Sequence, residues 1–145
     1  MSYITNADIE ERLGSDAYVQ LTDDDGDGNA DVGVVDEARL GAEGEVNSYL
    51  ARRYQVPIDL VAHPDLAGVL MSISLDIAEF RLRARKPPVA AEATAMRDQA
   101  IVWLKRVADG VIELPSDVSA NTDRGIIAEV VGDERVLSRD EMSDF

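Results

Sequence analysis

The chain has no cysteine, one histidine (His63), one tryptophan (Trp103) and two phenylalanines in 145 residues. Without thiols there are no disulfides, no thiolate nucleophile and no Cys-ligated zinc. The single imidazole, set between Ala62 and Pro64 at an expected helix start, reads as a cap or packed residue before it reads as a general base. The sequence also lacks GxSxG, a phosphate-binding glycine loop with Lys, HExxH and a dinucleotide fingerprint, so no enzymatic activity is expected. Bases are scarce too: 14 Lys and Arg stand against 29 Asp and Glu, for a net charge of −15. A chain of that sign is repelled by nucleic-acid phosphates, which argues against base reading, although an acidic surface suits DNA that must slide past without sticking. No stretch approaches the roughly 18 apolar residues of a membrane span. The opening MSYITNADIEERLG has neither the basic segment nor the apolar core of a signal peptide. The expectation is a soluble protein made in a cytoplasm, with no membrane partner.

What is present is enough for one compact domain, since 46% of the residues are hydrophobic and a chain of this length can bury a core. Its charge is uneven. Residues 1–37 hold eleven acids against Arg12 alone, which makes the N-terminal third an acidic pole. Within it, residues 23–31 (DDDGDGNAD) carry five aspartates in nine positions, inside an expected loop at 22–33. Counted from Asp23, oxygen donors fall at the first, third and fifth positions (Asp23, Asp25, Asp27). Gly28 takes the sixth, where a calcium loop turns sharply, Asn29 the seventh and Asp31 the ninth. The twelfth is Val34 rather than a bidentate Glu, so Asp36, Glu37 or water would have to close the shell. Two readings stand side by side: a Ca2+ loop, and a solvated Asp/Gly turn.

Hydrophobic periodicity predicts helices around this loop. Thr5 and Asp8 suggest a capping box opening a short helix that Gly14 ends, and a brief turn covers Asp16 to Leu21. Val35, Ala38, Ala42, Val46, Tyr49 and Leu50 mark one helical face reaching about Tyr54, closed by Pro57. Gly41 and Gly44 lie inside it, and their expected justification is close approach of another backbone, with a second subunit as candidate. From His63-Pro64-Asp65 a stripe of Leu66, Val69, Leu70, Ile73, Ile77 and Phe80, widened by Met71, Leu75 and Leu82, predicts a helix central in the fold or pressed between subunits. Arg81, Arg83, Arg85 and Lys86 crowd its end as a solvated cap in the plainer reading and a binding patch in the sharper one. After Pro87-Pro88, a helix from Val89 through Trp103 to Val107 ends at Gly110. Arg52 and Arg53 read either as surface cations at a helix end, with Tyr54 folded on the core, or as contacts to the acidic pole of an adjacent copy.

From Val111 the character changes to loop. Ile126, Ile127, Val130 and Val131, then Gly132-Asp133, then Val136 and Leu137 predict a short β-hairpin, which needs another surface to be stable. Met142 and Phe145, set among charges, suit a docking peptide. The expected fold is mainly α: a small antiparallel helical bundle over residues 1–110 with an acidic loop, then an extended C-terminal tail (111–145) carrying the hairpin. The expected interface residues are Gly41, Gly44, Arg52, Arg53, Ile126, Ile127, Val130, Val131, Val136, Leu137, Met142 and Phe145. The candidate calcium ligands are Asp23, Asp25, Asp27, Asn29, Asp31 and Asp36.

Read in order, YITNADIEERLG, QLTDDDGDGNAD, SYLARRYQVPI, DIAEFRLRAR, AIVWLKRVADGVIEL and the closing RVLSRDEMSDF resemble the Mu-type tailed-phage head-tail connector family, over nearly the whole chain. The resemblance implies a virion neck protein, an adaptor or head-completion protein forming an oligomeric ring on the portal, twelve-fold in that family. Its implied partners are the portal protein, neighbouring copies, the next neck or tail-completion protein, and DNA passing through the channel. By position, the family's acidic turn falls on residues 23–31, its arginine-tyrosine helix end on Arg52, Arg53 and Tyr54, and its terminal peptide on Arg139, Met142 and Phe145. The long linker between Leu114 and Ile126 departs from the family pattern. The alternatives are a calcium-dependent interaction module and a phage accessory enzyme.

Overall fold

The computed structural model describes residues 2–115 and 117–121. Among them are five α-helices, α1 (Asn6–Leu13), α2 (Ser15–Thr22), α3 (Val32–Leu50), α4 (Ala67–Ala84) and α5 (Ala91–Ala108), with a 3-10 turn at Pro64–Leu66 leading into α4. No sheet is formed among the described residues; the one β contact is an isolated antiparallel bridge from Tyr54 to Ala120. The expected hairpin, with Ile126, Ile127, Val130, Val131, Val136 and Leu137, and the terminal Arg139, Met142 and Phe145 lie outside the described residues.

Local chemistry sets the helix ends. Thr5 and Asp8 complete a reciprocal capping box, with the Thr5 hydroxyl accepting the Asp8 N–H at 3.2 Å and the Asp8 carboxylate accepting the Thr5 N–H at 2.7 Å. Gly14, at φ 82, ends α1 and starts α2 in a conformation that side-chain-bearing residues rarely adopt. Helix α3 starts three residues before Val35 and stops at Leu50, short of the expected end near Tyr54. Tertiary pairing takes over there. The Gln55 N–H donates to the Ser119 carbonyl, the Asn121 N–H to the Arg53 carbonyl, and the Leu114 N–H to the Tyr54 hydroxyl.

Helix α4 is the hub. Its apolar residues extend beyond one face, and α1, α2, α3 and α5 all pack on it, with Leu70, Ile73, Leu75, Ile77, Ala78 and Leu82 buried. Such a helix is stable in water only when covered on most sides. The chain does this with its own helices. The C-terminal end of α4 lies beside the start of α3, around Val34, Glu37 and Ala38, so the two run antiparallel, and α5 returns beside α4. Within the stretch expected as linker, Leu114 and Val118 are buried in the core, so the bundle extends past Gly110.

Two polar groups tie the N-terminal segment to this bundle. Glu43 on α3 is 7% exposed, and one carboxylate oxygen accepts the N–H groups of Tyr3 (2.7 Å) and Ile4 (3.1 Å), while Arg39 stands 3.7 Å from the other. The Tyr3 hydroxyl donates to the Asn47 side chain at 2.6 Å and accepts the Ile58 N–H at 2.9 Å. It therefore joins three segments. Neither role is visible from local periodicity.

Replacing Glu43 by Ala leaves two buried N–H groups unpaired, and a loss of about 2–4 kcal/mol in urea-unfolding stability is expected. Burial raises the Tyr3 phenol pKa; the Ile58 N–H offsets this in part and the Glu43 charge adds to it. A folded-state pKa above the unfolded value of roughly 10 means that the phenol's contribution is full below that value and is lost as pH rises through the folded one. Urea midpoints measured against pH should show an alkaline fall that is reduced in Tyr3→Phe, which should itself be less stable at neutral pH.

Candidate functional site

The acidic loop is the most concentrated chemistry of the described chain, and its shape comes from its own aspartates. The Asp31 N–H donates to the Thr22 carbonyl at 3.1 Å and closes the neck of the loop. Gly26 (φ 77) and Gly28 (φ 83) make the two turns that side-chain-bearing residues would strain. The Asp23 carboxylate accepts the N–H groups of Gly26 (2.8 Å) and Gly28 (2.9 Å). Asp25 accepts from Asp27, Asp27 from Asn29, and Asp31 from the Asp24 N–H. Loop closure in this pattern brings one oxygen each of Asp23, Asp25 and Asp27 within 4.8 Å of one another.

The two leading carboxyls respond in opposite directions. Asp23 is held below the usual carboxylate range, first by the Gly28 N–H and further by the Gly26 N–H. For Asp25 the Asp27 N–H pulls downward. Hydrogen bonding to Asp23, partial desolvation and the charges of Asp27 and Asp31 outweigh it, so Asp25 titrates above its ordinary value. Three carboxylate oxygens at one point suit a hard, oxygen-liganded cation. Asp31 and Asp36 do not join that cluster. Asp31 serves the Asp24 N–H, and Asp36 faces α1, where the Asn6 amide donates to it at 2.8 Å and Arg39 stands 3.4 Å away. Those contacts, the Asn6 bond first, lower the Asp36 pKa.

The loop is pinned to the hub helix. Arg85, the residue that caps α4, donates to the Leu21 carbonyl at 2.5 Å and to the Asp24 carboxylate at 2.6 Å, and Lys86 donates to the Gln20 carbonyl. Arg83 pairs with Glu79, and Arg81 with Glu45. The cluster expected as a solvated cap or a binding patch is thus engaged within the chain. Beside it, α3, α4 and α5 enclose a cleft of about 360 Å³. Glu45 there is shared by Arg81 and Arg97 at 3.1 Å each, and the Arg97 guanidinium lies 5.0 Å over the Phe80 ring.

Three of the expected interface residues, Gly41, Arg52 and Arg53, meet partners inside the chain, and Gly44 does not. A Cβ on Gly41 would stand 2.8 Å from the Arg81 guanidinium, so this glycine makes room for an arginine of α4. Nothing lies within 4 Å of a Cβ at Gly44. Arg52 pairs with Asp109 at 2.9 Å. Arg53 lies against Gly110, where a Cβ would stand 2.3 Å from its guanidinium, and reaches Glu113 at 3.9 Å. Both arginines fasten the end of α3 to the end of α5. His63 is packed beside the 117–119 segment, 3.5 Å from the Asp117 carboxylate.

Together these features define an acidic helical bundle whose charged loop is held at one end of a rigid core. The chain belongs to the family Bacteriophage Mu, Gp36, whose profile matches residues 3–128, and it is a bacteriophage structural or morphogenesis protein associated with the virion. No curated protein sequence matches it. Among the described residues, no helix is long and apolar enough to cross a membrane.

Three carboxylates without a twelfth-position Glu are expected to hold calcium weakly, with Kd of roughly 10⁻⁴ to 10⁻³ M. Calorimetric titration with calcium chloride should give one weak site that is lost in Asp25→Asn and weakens as falling pH protonates Asp25. Absence of heat in the unmodified chain would identify a solvated turn instead.

Proposed function

We propose that the chain is a head-tail connector: a non-enzymatic adaptor or head-completion protein that forms a ring on the portal in the virion neck, extends the DNA channel and presents a rim to the next neck or tail protein. The observation that carries this reading is the family match across residues 3–128. The geometry supports it. A bundle closed around α4 is a rigid building block, and the pinned loop fixes acidic charge at one end of it. Negative charge facing DNA prevents adhesion, because phosphates are held by clustered Lys and Arg through released counterions. Partner contacts are assigned to the chain beyond Asn121, with Met142 and Phe145 as apolar anchors, and to the exposed Gly44, while Gly41, Arg52 and Arg53 also serve contacts within the chain. The convergence of Asp23, Asp25 and Asp27 favours a second reading, in which calcium orders the loop of an interaction module.

A cryo-EM map of the phage portal vertex tests the proposal. A ring of copies below the portal, traceable by Trp103, Tyr49 and Tyr54, is the expected result, and absence of the chain from the neck overturns it. Deleting residues 126–145 should leave helical circular dichroism intact while abolishing assembly onto the portal. Loss of the helical signal would instead make the tail part of the core.

A further inference from the structure

Among the described residues, every Lys and Arg side chain has an ion pair or hydrogen bond inside the chain except Lys105 and Arg106, which are exposed on α5. Val102, 48% exposed, and the half-buried Trp103 lie one turn before them and share a groove with Arg106. The nearby acids Asp98 and Asp109 pair with Arg97 and Arg52. An aromatic and an apolar side chain with Arg at the rim are the composition of a contact surface.

A second face has the opposite sign. The outer side of α3 carries Leu40, 58% exposed, and begins with Val32, 64% exposed. Near them Asp25, Asp27 and Glu37 are exposed and form no ion pair among the described residues. Gly44, one turn beyond Leu40, has nothing within 4 Å of a Cβ. No neighbour inside the chain requires a residue that costs a helix interior about 1 kcal/mol relative to Ala, and bare backbone there admits close approach from outside. We propose that the outer face of α5 docks on the outer face of α3 in a second copy. Val102 and Trp103 then meet Leu40, and Lys105 and Arg106 meet the acids at the start of α3.

Charge selects that occupant. Each copy carries −15, but at physiological ionic strength an exposed charge reaches only about 8 Å, so the local signs of the two faces govern the contact. Two cations are too few for a nucleic acid, which is held through many phosphate contacts. Helices α3, α4 and α5 each pack on the other two, so the outer faces of α3 and α5 point in different directions. Joining one to the other is a heterologous contact, which repeats from copy to copy until it closes a ring or extends a filament. The inference deepens the connector reading and rests on it for the ring alone. Its test uses the purified chain, so absence of the chain from the neck and absence of this contact are separate results.

Full-length Leu40→Cys and full-length Val102→Cys, each with a single cysteine because the natural chain has none, are mixed and oxidised. The disulfide joining position 40 of one chain to position 102 of another should form well beyond its random share. Adding Lys105→Glu and Arg106→Glu to the Val102→Cys chain should lower its yield about five-fold, as expected for two exposed ion pairs. Glu37→Lys in the Leu40→Cys chain should then recover part of the loss. All these positions are exposed or on the surface of a helix, so the fold is retained. A random mixture of products, a predominance of Val102→Cys homodimers, or a yield indifferent to charge reversal would each overturn the proposal.

Discussion

The structure depends on one constraint, that α4 is too apolar to tolerate water on more than a narrow strip. Leu70, Ile77, Ala78 and Leu82 have no exposed surface, and the residues that cover them come from four other helices. Covering α4 sets the antiparallel path of α3 and α5 and brings the short α1 and α2 against its flank. Ion pairs then hold the cover in register. Arg12 on α1 reaches both Asp76 (2.5 Å) and Glu79 (3.1 Å) on α4, and all three side chains are largely buried, so removing one partner leaves a partly desolvated charge unpaired.

The same helix organises the charge. Its C-terminal end exposes carbonyls that favour cations, and the sequence places Arg81, Arg83, Arg85 and Lys86 there. Instead of remaining in solvent, Arg85 and Lys86 reach to α2 and to Asp24. The end of the hub helix becomes the clamp for the most acidic loop of the chain. Core and charged pole are therefore joined through one element.

The helices were legible in the sequence because each is written in contiguous residues. The Thr5 and Asp8 box, the breaks at Gly14 and Pro57, and the stripe of α4 are local signals, and the structure follows them within a few residues. Gly41 was legible as a site of close approach, but the approaching group is the Arg81 guanidinium, forty residues away. The uses of Arg52, Arg85, Glu43 and Tyr3 were hidden for the same reason: the partners that tie them to other segments lie about forty or more residues distant, and no spacing rule connects them. At the candidate site, the spacing of Asp23, Asp25 and Asp27 matched their convergence. It could not show that Asp36 is taken by Asn6 and Arg39, because that depends on where α1 docks.

Clamping by Arg85 and Lys86 also sets the range over which the loop can act. A free acidic segment could extend toward a polymer several nanometres away, whereas fixed carboxylates act through the solvent between. At physiological ionic strength that influence decays over about 8 Å. The loop's carboxylates are thus felt only by something that comes nearly into contact with them, and by this measure the acidic pole acts at contact range rather than as a distant field.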